Sequence, residues 1–250
     1  MDGQWVALSP GRRMVADLSW AALRVPRCVM TARLRLPRAM AARAALPRPR
    51  PPWTAIFAKA FALTAQGRPA LRQLHATLPW QRLLRLDHAI GCVMVEREHL
   101  GEPTLTLARF VQPHAQPLHE LAALLEEAKS APPEAAKCFR RMLRFVAQPW
   151  PLRRLMMRVA LGFAAPLARY AGSFSVSSLG EQGATIQDSV SILPVFLSYG
   201  PIGADGAVDV FFVFDHRVMD GADGAAALAG IQAMIEGPLA DELEALQGLS

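Results

Sequence analysis

Apolar residues recur along this chain in two rhythms. Short helices are predicted over 12–23 and, alanine-rich and opened by Pro37, over 37–46, and spacings of three and four predict an amphipathic helix over 118–129, LHELAALLEEAK. Thr54 is the expected N-cap of the apolar run IFAKAFALTA, which Gly67 and Pro69 close. Alternating or β-branched runs predict strands: CVMTARLRL after Val25-Pro26, AIGCVMV over 89–95, TLTLARFV after a turn at 101–103, then GSFSVSSLG, SILPVFLSYGPI and 208–214. The proline-rich PRPRPPW is an extended join within the domain. An alanine-rich helix over 222–235 follows the last strand, and His216 falls at the junction. Such a junction holds an imidazole rigidly while leaving its tip free for a cleft, which suits a general base.

Composition narrows the class. The chain has 250 residues, 52% hydrophobic and 19% charged, enough for one sizeable globular domain or two small ones. Its net charge of +6 is concentrated in two places, residues 1–50 with ten arginines and the stretch 131–170. Nucleic acid, anionic lipid or a phosphate-bearing ligand would each suit that field. The arginines are interleaved with proline and aliphatics, and no nucleic-acid motif is present, so no nucleic acid is expected. Cys28, Cys92 and Cys138 show no paired spacing, the N-terminus has no signal-peptide core, and no apolar run is long enough to span a bilayer. A reducing, cytoplasmic setting is predicted. His75, His88, His99, His114 and His119 have no carboxylate or cysteine at ligand spacing, and no metal is expected.

The most informative stretch is DHRVMDGADGA. His216, Asp220 and Gly221 spell His-x-x-x-Asp-Gly, preceded by Asp215 and with Arg217 following the histidine. This pattern resembles the active-site signature of the chloramphenicol acetyltransferase-like superfamily. The Asp-His-Arg start, with RRMVADLS, VPRCVMTARLRL, TAIFAKAFALTA, LDHAIGCVMV and SFSVSSLG in the same order, is similar to one branch of it. That branch is the catalytic domain of dihydrolipoamide acyltransferase, the E2 subunit of 2-oxo acid dehydrogenase complexes.

The resemblance implies an α/β (α+β) fold: a mixed sheet with helices on one face, assembled as a homotrimer or a larger array of trimers. It implies transfer of an acyl group between a coenzyme A thioester and a thiol, hydroxyl or amine. His216 would take the acceptor's proton, and Ser177 of a neighbouring subunit would donate to the oxyanion. Ser178 better suits a serine bonded to its own turn. Asp220 would be buried against an arginine near the N-terminus, with Arg13 the expected partner, and so hold the histidine loop. Asp215 and Arg217 would support the same loop, and Gly221 would sit where a larger residue crowds the turn. Ser, His and Asp occur together but not in a nucleophile elbow, which disfavours a hydrolase triad.

Three departures from that pattern bear on function. Lipoyl and subunit-binding domains are not expected in 1–250, so the acceptor is open: a separate carrier protein, a small alcohol or amine, or a lipid. A basic, methionine-rich insert at about 131–170 is predicted to add one or two helices. There Arg153, Arg154 and Arg158 could flank an apolar stripe over 152–163 that meets a membrane surface, cover the acyl pocket, or be solvated over a stripe packed on the domain. SVSILPVFLSYG replaces the family's Asn-Pro-Pro turn, which leaves the acceptor contacts open. The leading expectation is a free-standing coenzyme A-dependent acyltransferase. The alternative is a non-catalytic trimeric scaffold of a multienzyme complex.

Overall fold

The computed structural model describes residues 3–99 and 101–248. Six strands form one mixed sheet: β1 (Arg27–Arg35), β4 (Ile90–His99), β5 (Glu102–Val111), β6 (Phe174–Ser178), β7 (Val195–Tyr199) and β8 (Ala207–Asp215), ordered β1-β8-β7-β6-β4-β5. The β4, β6 and β7 strands run parallel to one another, and the other three pairings are antiparallel. A separate ribbon pairs β2 (Gln73–Ala76) with β3 (Arg82–Arg85).

Alternation along the strands explains the main core. Val208, Val210, Phe212 and Phe214 of β8, and Phe174 and Val176 of β6, point to one face and are buried there. That face is covered by α3 (Trp53–Gln66), α4 (Leu118–Ser130) and α8 (Gly221–Met234), with α2 (Pro37–Ala45) and α9 (Ala240–Gln247) beyond them. Phe61 of α3 stacks on Phe174 with centroids 4.1 Å apart, and Phe57 stacks on Tyr199 at 4.3 Å. Gly91 lies over the Phe174 ring so closely that a Cβ would meet it at 2.6 Å. Lys59, buried in α3, is held by Glu242 at 2.5 Å, and the other oxygen of Glu242 accepts from the Leu118 backbone at 2.6 Å. Thr54 is not a cap. The α3 helix starts at Trp53 after Pro52, and the Thr54 hydroxyl instead meets the Tyr199 hydroxyl at 2.8 Å.

The second face is covered as well, at its β4 end. The insert forms α5 (Lys137–Val146), α6 (Trp150–Phe163) and α7 (Ala165–Tyr170), three helices where one or two were expected. Ala164, Leu167 and Ala168 pack with Leu74 and Ala76 of the ribbon and with Cys92 of β4 in a smaller core. Helices therefore flank both faces. The first helix, α1 (Pro10–Ala22), lies against β5, α5 and α6.

Candidate active site

The β8 strand ends at Asp215, and the next two residues make a turn fixed by a short-range ion pair. Asp215 is buried; its Oδ1 accepts from the Arg217 backbone N–H at 3.0 Å and from Nε at 2.9 Å, and Oδ2 accepts from Nη2 at 2.7 Å. This bidentate geometry is the rigid form of an arginine–carboxylate contact. The His216 backbone N–H donates to the Pro26 carbonyl at 3.0 Å, which ties the turn to the entrance of β1. The ion pair explains the division of labour: Asp215 and Arg217 act as the clamp across the turn, while His216 between them stays exposed.

The imidazole is 54% exposed, with its Nδ1 3.4 Å from Asp220 Oδ1 and its ring 5.8 Å from that of Phe214. Asp220 is the N-cap of α8, and its backbone N–H donates to Asp223 Oδ2 at 3.2 Å. Cap and contact place a carboxylate one helical turn after the histidine. A carboxylate at Nδ1 favours the tautomer that leaves Nε2 free to accept a proton.

Two expectations for this loop need correction. Asp220 is not buried against Arg13: its side chain is 80% exposed, and Arg13 donates from Nε to the Leu8 carbonyl at 3.0 Å. The sheet order gives the reason, since α1 rests at the β5 edge and the histidine turn follows β8, next to the opposite edge. Gly221 is not crowded either, because a Cβ there would meet only Met30 Cε at 3.9 Å. The close approach comes at Gly224, where a Cβ would meet the Phe214 ring at 3.2 Å.

Ser177 is buried in β6, 8% exposed. Ser178 beside it is the turn serine, donating to the Tyr199 carbonyl and accepting from the Gly180 N–H, each at 3.0 Å. The protomer does not bring Ser177 to His216. Ser177 registers with Ser198 of β7, which registers with Phe211 of β8. Two strand spacings and five residues of rise then separate serine from histidine by roughly 19 Å.

Behind the turn lies a cavity of about 310 Å³, lined by Asp215 and Arg217 but not by His216. His75 of β2 reaches it, and burial together with the Arg217 charge pushes the His75 pKa below its usual range, against the pull of Asp215. Local pattern does not mark His75, because it lies on a ribbon too short to read and the charges beside it, Asp215 and Arg217, come from the end of β8. Of the readings open for the α6 arginines, neither a basic flank on a membrane surface nor simple solvation fits Arg153 and Arg154. Arg153 Nε donates to Asp17 Oδ2 at 2.6 Å, Arg154 Nη1 lies 3.3 Å from Oδ1, and Asp17 is buried. These two face α1 and leave the outward flank, whereas Arg158 stays exposed at the rim of the cavity. The exposed stripe of α6 is apolar: Leu152, Leu155, Met156, Val159 and Phe163.

No protein-family model and no curated protein matches the sequence. Solved structures do match. The dihydrolipoamide acetyltransferase of Azotobacter vinelandii aligns over 96% of this chain and 93% of its own, with 17% identity and a TM-score of 0.68. In that protein a serine, a histidine and, four residues on, an asparagine have been investigated for their role in the catalytic mechanism. The cubic core of the pyruvate dehydrogenase multienzyme complex aligns over 96% and 93% of the two chains, with 17% identity and a TM-score of 0.66. A chloramphenicol acetyltransferase aligns over 89% and 94%, with 14% identity and a TM-score of 0.52. The chain has the E2 acyltransferase catalytic-core fold of the chloramphenicol acetyltransferase-like class, as the sequence motif implied.

Proposed function

We propose that the protein is a coenzyme A-dependent acyltransferase whose complete sites form between copies of the chain, in a trimer or a larger array of trimers. The observation that carries this is the His216 turn: a half-exposed imidazole, clamped by Asp215 and Arg217, with Asp220 at its Nδ1. In this reading Nε2 removes the proton of a thiol, hydroxyl or amine acceptor as that atom attacks the thioester carbonyl. Asp220 orients the ring through a contact in its own loop. The leaving coenzyme A thiolate takes back the proton from the imidazolium.

Ser177 of a second copy is the proposed donor to the oxyanion. The roughly 19 Å between serine and histidine in one protomer supports a shared site, because a donor must come within about 3 Å of the oxyanion. Assembly is further supported by the structural likeness to a protein described as a cubic core. The acceptor is a free small molecule or a separate carrier.

The test is release of coenzyme A thiol from acetyl-CoA with dihydrolipoamide and a panel of small alcohols and amines. His216→Ala should fold as the parent does and lose about 10² to 10⁴-fold in transfer rate. Full turnover by a folded His216→Ala protein would remove the general base and favour the scaffold alternative.

A further inference from the structure

The cavity behind the histidine turn has features that the transfer reaction does not use. Its walls include Leu74, Leu78, Leu161, Leu167 and Ile192, and it sits where α6, α7 and the β2–β3 ribbon converge. The insert thus builds one side of it. Three cations line it, Arg24, Arg158 and Arg217, against the single carboxylate of Asp215. Both Asp215 oxygens are engaged by Arg217, so that pair is internally neutral.

Arg24 and Arg158 have no carboxylate partner among the described residues. Arg24 donates to the Trp20 carbonyl at 2.5 Å, and its guanidinium lies 3.6 Å from the Trp20 ring centroid. Arg158 lies 5.4 Å from the same ring. Arg154 adds a third guanidinium at 4.5 Å, and it shares the single carboxylate of Asp17 with Arg153. Two uncompensated like charges gathered at one indole and opening on an apolar cavity are complementary to an anion that carries an apolar tail. Each methylene takes up about as much space as a water molecule, roughly 30 Å³, so the volume admits a ligand of about ten non-hydrogen atoms.

We propose that this cavity binds a medium-chain fatty carboxylate, its chain against Leu78, Leu161 and Ile192 and its head between the guanidiniums of Arg24 and Arg158. The site is separate from the acyl-transfer reading. It is tested by binding alone, so failure of either leaves the other standing.

Calorimetric titration of the full chain with octanoate, octanol, octylamine and acetate tests it. Octanoate should bind one per chain, and the other three at least about tenfold more weakly, because each lacks the head or the tail. Arg158→Gln and Arg24→Gln should each weaken octanoate about tenfold to a hundredfold, the loss expected for one charge-assisted hydrogen bond. Ile192→Trp, at a half-buried position beside the smaller core, should fill the cavity and abolish binding, with circular dichroism confirming that the variant folds. No octanoate binding at millimolar concentration, equal binding of octanol, or octanoate affinity unchanged in both Arg158→Gln and Ile192→Trp would each overturn the proposal.

Discussion

The clasp between the first helix and the insert makes the sharpest claim about stability. Asp17 is only 2% exposed and contacts two guanidiniums, themselves 11% and 14% exposed. Asp17→Asn keeps the shape and removes the charge, leaving Arg153 and Arg154 facing each other with no counter-ion. Loss of one partner from a buried pair costs about 3–5 kcal/mol. Arg153 retains a bond to the Gln148 carbonyl at 2.7 Å, and Arg154 retains its place over the Trp20 ring, so the lower end applies. About 3 kcal/mol in a chain of this size corresponds to roughly 6–12 °C in melting temperature. Thermal unfolding of Asp17→Asn, Arg153→Gln and the double variant provides the assay. The two changes should couple by at least about 1 kcal/mol, since the second removes a charge the first has stranded. Hydrogen exchange in α1 and α6 should rise together. A midpoint within about 2 °C of the parent, or strict additivity, would show that the clasp contributes nothing. Replacing Arg153 and Arg154 with glutamate should act through the same clasp, by unfolding α1 from α6.

Two further outcomes follow from local geometry. Asp220→Asn should leave the melting temperature unchanged, because Asn caps a helix as well as Asp. Asp220→Ala should lose about 1 kcal/mol and slow acyl transfer at least about tenfold by freeing the imidazole; a large stability loss in the Asn variant would mean a buried partner after all. Burial pushes the Cys92 thiol up to about 12, so iodoacetamide at pH 8.5 should leave it unmodified in the folded protein and label it in urea; rapid labelling in buffer would place it at the surface.

The strands and helices around DHRVMDG were legible because each has one period and a clear partner face: Val208 to Phe214 alternate into the core and the alanines of α8 pack over them. The β2–β3 ribbon was not. Its strands are four residues each, too short for a period to emerge. Arg13 was misjudged because proximity to Asp220 depends on which sheet edge α1 occupies, and strand order is not written in local pattern. The insert shows a limit of amphipathic reading. Two stripes on α6 were visible, one apolar and one basic, but periodicity cannot say which faces inward. At Arg153 and Arg154 the basic one does, because Asp17 and Trp20 wait there 130 or more residues upstream in the chain.

The pairing of β1 has a consequence for how the chain is made. Among the described residues this strand has β8 as its single partner in the sheet, with Arg27 opposite Asp215 and Arg35 opposite Ala207. On a ribosome adding about 5–20 residues each second, β1 therefore waits roughly ten to forty seconds for the strand that completes it. Throughout that interval its edge is bare, and bare edges recruit other nascent chains. Arg27, Arg33 and Arg35 punctuate the strand, and charge on an unpaired edge discourages such recruitment. Part of the basic excess in the first fifty residues thus protects a segment that is translated well before the strand it pairs with.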